Sequence, residues 1–171
     1  YMGSKPVMWS VVEKTALAEA EVEYHDHISN TIFVRFPVLD ESTSDIAKGA
    51  AIVIWTTTPW TIPGNRGLAY SADDTYVRLK VTDVADDSLA KAGEEVIIAQ
   101  PLLEAVCEDC GITGHEVVAE FKGADLAGTI CSHPFRGKGY DFDVPALAGD
   151  FVEMETGSGF VHIAPGHGFD D

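Results

Sequence analysis

The sequence predicts a mainly β fold with small helices around a barrel-like core. Short apolar or alternating runs recur along the chain and are bounded by glycine and proline, whereas signals for helix starts and stops are few. A chain of 171 residues, of which 46% are hydrophobic, is long enough to bury one core. We therefore expect a single domain spanning residues 1–171. The first residue is Tyr1 rather than methionine, so we also expect a domain excised from a longer protein.

The clearest strand candidates combine β-branched residues with a strand-like period. Residues 31–36 form such a run, which Pro37 is expected to stop, and residues 50–54 are apolar throughout, as in a buried strand. Residues 19–24 and 76–81 alternate as half-exposed strands do. Further strands are predicted at residues 7–10, 96–99, 116–121, 129–131, 151–154 and 159–163.

Helices are predicted at only two places. Residues 101–107 have proline in the first turn and stop before Gly111, which fits the rules for helix starts and stops. Residues 88–92 are predicted to form a second, shorter turn of helix. The polar segment at residues 40–48 is expected to be a mobile loop.

Charge and hydropathy exclude two classes of protein. The formal net charge of −17 argues against a free-standing nucleic-acid binder, because phosphate affinity depends on lysine and arginine. No apolar run approaches the roughly 20 residues of a membrane span, so we expect no membrane association and a cytoplasmic location.

The cysteines offer one metal alternative. Cys107 and Cys110 form a CxxC pair, and His115, Cys131 and His133 follow it. This spacing differs from that of the usual zinc sites, which favours ordinary reduced thiols over a zinc centre.

A threonine-rich run, WTTTPWTIPGN, follows the predicted buried strand at residues 55–65. Pro59 and Pro63 lack a backbone donor and bias Thr58 and Ile62 toward extended geometry. We therefore expect a stiff, non-helical loop lined with small hydroxyl groups. Such a loop suits a polar substrate whose ester or amide is held near a water molecule.

A second run, TGSGFVHIAPGHGFDD, ends the chain at residues 156–171. His162 lies on the predicted strand and faces away from its two neighbours, toward a pocket if those neighbours enter the core. Three interpretations remain open. The run holds a metal through His162, His167, Asp170 and Asp171; or its polar residues satisfy loop backbone groups; or a carboxylate holds a substrate ammonium while a histidine shapes the pocket.

No covalent nucleophile stands out in either run. Ser158 lies in GSG rather than in a GxSxG elbow, and it is read as part of a tight turn. The glycines lead into a strand, whereas a dinucleotide-binding fingerprint opens a helix. Direct attack by a positioned water is therefore the expected route for any hydrolysis.

The two runs resemble known motifs of one enzyme family. WTTTPWTIPGNRG and GSGFVHIAPGHGFDD are similar to the threonine-rich peptide and the HxAPGHGxDD segment of isoleucyl-tRNA synthetases. Both motifs belong to the inserted editing domain of that family, called connective peptide 1. The resemblance continues in KPVMWS, TALAEAEVEY and FVRFPV and covers essentially the whole chain. Valyl and leucyl editing domains carry arginine and an acidic residue where this chain has Thr58 and Trp60, so the pattern is the isoleucyl one.

The resemblance implies a β-rich editing-domain fold of the class I synthetases for valine, isoleucine and leucine. It implies hydrolysis of valine from mischarged tRNA(Ile), and of valyl-adenylate as a second substrate. The implied partners are the 3′ end of that tRNA and the rest of the synthetase in cis, in a monomer. No metal or cofactor is implied for editing, although the full-length synthetase would use ATP and magnesium.

The resemblance also assigns roles to individual residues. Asp171 would grip the substrate ammonium, and the threonine hydroxyls would orient the ester or the attacking water. The residues implied in catalysis are Thr57, Thr58 and Asp171, and those implied in substrate binding are Thr56, Trp60, Thr61 and His162. Two alternatives stay open: a binding module for aminoacyl-adenosine that is inactive in isolation, and a metal-dependent hydrolase.

Overall fold

The structure is a computed structural model that describes residues 7–26 and 28–167. The chain divides into two compact units, Tyr1–Asn30 and Thr31–Asp171. Over the described residues the strands are β1 (Trp9–Ser10), β2 (Thr15–Ala16), β3 (Ile32–Pro37), β4 (Ala51–Thr56), β5 (Gly67–Tyr70), β6 (Thr75–Val84), β7 (Glu95–Ala99), β8 (Ile112–Lys122), β9 (Ile130–Ser132), β10 (Asp143–Ala148) and β11 (Phe160–Ile163). The described helical segments are 3₁₀ helices at Glu19–Glu21, Pro59–Gly64, Gln100–Leu102 and Gly123–Leu126, and one α-helix, α1 (Leu103–Asp109).

The first unit contains a short antiparallel ladder, in which β1 pairs with β2. The strand predicted at residues 19–24 is wrong, because Glu19–Glu21 forms a turn of 3₁₀ helix. The Glu21 carboxylate accepts a hydrogen bond of 2.7 Å from the Ala18 backbone amide. This cap satisfies a donor at the start of the turn and favours it over an extended chain.

A five-stranded sheet forms the larger layer of the second unit, in the order β3-β4-β7-β6-β8. The pair β4–β7 is parallel, and the other three neighbouring pairs are antiparallel. The central strands carry continuous apolar runs, and Ile52, Ile54, Ile97 and Ile98 are fully buried. β3 lies at the edge of the sheet, so it extends through Pro37, which was expected to stop it.

A four-stranded sheet, in the order β11-β5-β10-β9, completes the second unit. β10 pairs with β9 through Pro145 and with β5 from Ala146 onward, so its two halves have different neighbours. Both sheets contribute to one hydrophobic core, and a bridge between Val38 and Cys131 links β3 to β9.

The predicted mainly β class with small helices is confirmed, and the described strands form open sheets rather than a closed barrel. The predicted helix at 101–107 corresponds to Gln100–Leu102 followed by α1. Two predicted elements are wrong: residues 88–92 form no helix, and residues 151–154 form no strand. At the first of these, Ser88 Oγ donates to the Cys110 carbonyl at 2.6 Å and accepts from the Ala90 amide, which holds a turn instead.

Two strands that position the site, β5 and β10, were not predicted from the sequence. β5 is four residues long, starts at a glycine and has no β-branched side chain. β10 contains Pro145, which ordinarily argues against a strand. Here the missing donor falls where β10 changes from one neighbour to the other.

The segment at residues 40–48, predicted to be mobile, is a series of turns that the core anchors. Ser42 and Ser44 are buried, and Ser42 Oγ exchanges hydrogen bonds of 2.9 Å with the backbone of Ile130. The Arg78 guanidinium donates to the Ile46 carbonyl at 2.9 Å. These bonds tie the segment to both sheets.

Candidate functional site

The threonine-rich run begins at the end of β4 and continues as the 3₁₀ helix Pro59–Gly64, called the wall helix below. The prediction of a non-helical loop is wrong at this point. The Thr61 amide donates to the Thr58 carbonyl and the Asn65 amide to the Ile62 carbonyl, at 2.9 and 3.0 Å. Pro59 is compatible with this short helix because it sits at the start, where a backbone donor is not needed.

Sheet pairing brings the second run beside the wall helix. β5 starts three residues after the wall helix ends, and β11 pairs with it antiparallel, with His162 opposite Leu68. This register places His162 Nε2 at 2.7 Å from Thr61 Oγ1, although the two residues are 101 positions apart. The two sequence runs therefore form one site.

The threonine hydroxyls bond to the wall helix and to one another. Thr56 Oγ1 accepts from the Thr58 backbone amide at 3.1 Å, and Thr61 Oγ1 donates to the Thr58 carbonyl at 2.8 Å. Thr58 Oγ1 lies 3.3 Å from Thr56 Oγ1 and 3.4 Å from Thr61 Oγ1. Thr56 and Thr61 are buried, whereas Thr57 is exposed and Thr58 is half-buried.

Asn65 determines which nitrogen of His162 carries the proton. The Asn65 side chain is fully buried, and its Nδ2 lies 2.9 Å from the Gly67 carbonyl oxygen and 2.9 Å from His162 Nδ1. The carbonyl can only accept, so the amide nitrogen must face it, and the second amide hydrogen then points at His162 Nδ1. That nitrogen is an acceptor, and the proton of the neutral ring sits on Nε2, which donates to Thr61 Oγ1.

These groups line a cavity of about 420 Å³. It contains every sequence-predicted site residue except Asp171, which lies outside the described residues together with Asp170. The lining residues are Trp55, Thr56, Thr57, Thr58, Trp60, Thr61, Phe151, Glu153, Thr156, Gly157, Gly159, Phe160, Val161, His162, Ala164 and His167.

Two parts of the site were missed in the sequence. Asn65 follows a Pro-Gly pair, a position where an asparagine is ordinarily a turn residue, and no local pattern indicates its bond to a histidine 97 residues away. Phe151 and Glu153 line the cavity from the segment at residues 151–154 that was predicted to be a strand. Their contribution depends on the turn that follows β10.

The candidate metal ligands do not form a cluster within the described residues: no group of three or more histidine, cysteine or acidic side chains there is arranged to hold a metal ion. Cys107 Sγ lies 3.6 Å from His115 Nδ1. Burial raises the pKa of Cys110 to about 11 and that of Cys131 to about 12, so both thiols are protonated near neutral pH.

Curated proteins similar to this chain are isoleucine–tRNA ligases. The protein from Gluconobacter oxydans (strain 621H) is 52% identical over 172 residues, and that from Pelagibacter ubique (strain HTCC1062) is 48% identical over 171 residues. Both alignments cover 100% of this chain. Along its whole length the chain is related to one segment of the isoleucine–tRNA ligases. It spans about 18% of the length of these relatives, and no family model matches it.

Solved structures of similar fold come from a second family of synthetases. The crystal structure of GlLeuRS-CP1 has a TM-score of 0.58 at 14% identity and covers 78% of this chain and 52% of that one. The P. knowlesi cytosolic leucyl-tRNA synthetase editing domain has a TM-score of 0.56 at 9% identity and covers 84% of this chain and 62% of that one. The chain therefore has the fold of these leucyl-tRNA synthetase editing domains. The described residues include no helix long and apolar enough to cross a membrane.

Proposed function

We propose that this chain is an editing domain that hydrolyses the ester of valyl-tRNA(Ile), with valyl-adenylate as a second substrate. The observation that supports this most directly is the cavity itself. It joins the threonine-rich run to the strand carrying His162, in a chain with these relatives and this fold. A single editing domain over residues 1–171 and a cytoplasmic location are parts of the same proposal.

The chemical need for such a site follows from the small difference between valine and isoleucine. One methylene in an apolar pocket discriminates by only about 1–3 kcal/mol, and isoleucine-specific synthetases are themselves a case from which this range is known. A second pocket that admits valine and excludes isoleucine by size adds the missing discrimination, because overpacking a rigid site is itself costly.

Thr61 and His162 are the proposed sieve walls. Their side chains are locked together at 2.7 Å, and the Thr61 hydroxyl is occupied both by His162 and by the Thr58 carbonyl. A wall held by hydrogen bonds on two sides cannot easily yield to one more methylene. Trp60, which is 70% exposed at the cavity, and Thr56 complete the proposed substrate contacts.

The attacking water is positioned by hydroxyl groups in this proposal. Thr57 and Thr58 face the cavity and are suited to orient the ester carbonyl, the terminal ribose or the water. His162 is a hydrogen-bond donor at Nε2 and an acceptor from Asn65 at Nδ1, so it shapes the pocket rather than removing a proton. We propose direct water attack, with no covalent intermediate and no metal or cofactor in the editing step.

Asp171 is the proposed anchor for the substrate ammonium, on the strength of the sequence motif. A net charge of −17 does not favour tRNA binding by the chain alone, so the rest of the synthetase, in cis, would deliver the 3′ end of tRNA(Ile) to it. We propose that the protein acts as a monomer.

Deacylation of valyl-tRNA(Ile) tests the proposal, with isoleucyl-tRNA(Ile) as the substrate control. We expect valine release by the chain or by a synthetase containing it, nearly abolished by Asp171→Ala. Hydrolysis by the Asp171→Ala variant at the unaltered rate would disprove the ammonium anchor.

The same assay separates the two alternatives. Activity of the synthetase without activity of the chain, together with binding of a valyl-adenosine analogue by the chain, would indicate a binding module. Loss of activity with a chelator and its return with added metal would indicate a metal-dependent hydrolase.

A further inference from the structure

A second imidazole contacts the wall helix from outside the cavity lining. His133 follows β9 directly, and its Nε2 lies 3.0 Å from the carbonyl oxygen of Ile62, within the wall helix. The same carbonyl accepts the Asn65 backbone amide at 3.0 Å. His133 is 1% exposed, so this hydrogen bond is shielded from solvent.

An aromatic cluster fixes the orientation of the His133 ring. The cluster consists of Phe36, Phe135, Tyr140 and Phe142 around the imidazole. Tyr140 stacks on it, with ring centroids 5.0 Å apart and an interplanar angle of 14°. The Phe135 backbone amide donates to Nδ1 at 3.1 Å, so the ring proton sits on Nε2 and is donated to Ile62.

The aromatic cluster has a second connection to the same part of the chain. The Arg66 guanidinium lies 4.3 Å from the centroid of the Phe142 ring, and its Nη1 donates to the Asn65 carbonyl at 2.6 Å. The carbonyls of Ile62 and Asn65, at the C-terminal end of the wall helix, are therefore both bonded to side chains that the cluster holds. Thr61 immediately precedes Ile62, and both Thr61 and Asn65 bond to His162.

We infer that His133 is a positioning residue for the editing site, acting through its hydrogen bond to the Ile62 carbonyl to hold the wall helix in register with His162. The expected effect on deacylation rests on the proposed function, whereas the expected effect on the stability of the wall helix does not. Two imidazoles thus bond to the wall helix, each donating from Nε2: His162 to a side chain of the helix and His133 to its backbone. A sieve that separates two amino acids by one methylene needs a wall fixed to a fraction of an ångström.

Two replacements of His133 separate the hydrogen bond from the packing. His133→Asn keeps an acceptor near the position of Nδ1 for the Phe135 amide but cannot reach Ile62. His133→Gln places an amide donor near the position of Nε2. Both remove the ring from the aromatic cluster, and each retains one hydrogen bond: His133→Asn the one from the Phe135 amide, His133→Gln the one to the Ile62 carbonyl. Faster exchange at the wall helix in His133→Asn alone therefore reports the loss of the bond to Ile62.

Amide hydrogen exchange measures the structural effect without any substrate. We expect His133→Asn to speed exchange of the Thr61 and Asn65 amides about fivefold or more relative to His133→Gln, since one hydrogen bond is lost. Exchange at Ile97, in the middle of the five-stranded sheet, should be the same in both variants. Equal exchange at Thr61 and Asn65 in the two variants, or equal acceleration throughout the sheet, would overturn the inference.

Valyl-tRNA(Ile) deacylation measures the catalytic effect. We expect kcat to fall about fivefold in His133→Asn and to be restored substantially in His133→Gln, with KM changing less than kcat. Unequal exchange with no deacylation either by the unaltered chain or by a synthetase containing it would refute the proposed function and leave the positioning of the wall helix established. Equal kcat in the two variants of an active chain would refute the catalytic consequence.

Discussion

Hydroxyl and ring groups at the site form a directed series of hydrogen bonds. Asn65 donates to His162, His162 donates to Thr61, and Thr61 donates to the Thr58 carbonyl. Each group can take only one role once Asn65 faces the Gly67 carbonyl. The site is therefore preorganised before any substrate arrives, and single side chains determine its shape.

Thr61 is the residue at which steric and polar contributions can be separated. Thr61→Ala enlarges the cavity, so we expect hydrolysis of correctly charged isoleucyl-tRNA(Ile) to appear. Thr61→Val keeps the volume but removes the hydroxyl, so we expect isoleucine still to be excluded. We expect kcat for valyl-tRNA(Ile) to fall about tenfold, because two hydrogen bonds are lost. Deacylation of both aminoacyl-tRNAs checks this, and exclusion of isoleucine by Thr61→Ala would show that Thr61 is no sieve wall.

Asn65 provides a direct test of the His162 tautomer. Long-range ¹H–¹⁵N correlation spectra should show a protonated Nε2 and an unprotonated Nδ1 in the unaltered chain. Asn65→Asp offers only acceptors beside the Gly67 carbonyl and His162 Nδ1, so we expect a proton on Nδ1 and a loss of about 1–3 kcal/mol in unfolding free energy. A protonated Nδ1 in the unaltered chain would contradict the assigned series of bonds.

At the scale of elements, the site depends on how closely β11 approaches β7. Gly159 precedes β11 with φ at +78°, and a Cβ on it would lie 2.2 Å from the Ala99 Cβ. The neighbouring Ser158 carbonyl accepts the Ala99 amide at 2.9 Å, and the Gly159 carbonyl accepts the Tyr76 hydroxyl at 2.8 Å. Only glycine permits both the backbone conformation and the contact.

Replacing Gly159 should therefore lower the unfolding free energy by more than the strain of its backbone conformation alone. We expect Gly159→Ala to lower the unfolding free energy by about 2–5 kcal/mol, the sum of left-handed strain and overpacking. Gly137→Ala is the matched control: its φ is +85° but no atom lies within 4 Å of the added Cβ, so about 1–2 kcal/mol is expected. Denaturant unfolding measures both, and equal losses would show that the contact with Ala99 contributes nothing.

For the molecule as a whole, the buried imidazole of His133 couples stability to pH. Burial lowers its pKa below the ordinary 6.5, the hydrogen bond to Ile62 opposes this shift, and the Arg66 charge adds to it. The unfolded chain therefore binds a proton more readily than the folded chain does. The stabilisation is fully present above pH 6.5 and is lost as pH falls from 6.5 toward the lowered pKa.

Unfolding measurements across this window test the coupling. We expect the unfolding free energy to decline from pH 7 toward mild acid, and His133→Gln to decline less steeply, because it has no proton to gain. The window lies above the ordinary carboxylate pKa values of about 4, so acid titration of the many acidic residues interferes little. Parallel declines in the two proteins would contradict the role given to His133.

Local patterns in the sequence suffice to predict the mainly β class, most of the strands and the two runs that carry the site. These are local properties: β-branched content and alternation report a strand, while proline, glycine and threonine report where it ends. The 3₁₀ geometry of the wall helix was not predicted from the sequence. Proline disfavours an α-helix there but does not select between a 3₁₀ helix and a loop.

Which of these residues meet depends on how distant strands pair. His162 reaches Thr61 and Asn65 because β11 pairs with β5, a strand too short and too rich in small residues to be predicted. A shift of one residue in that register would turn His162 to the other face of the sheet. Contacts across about 100 residues depend on such pairings, and no local pattern encodes the tautomer, the cavity or the second imidazole behind the wall helix.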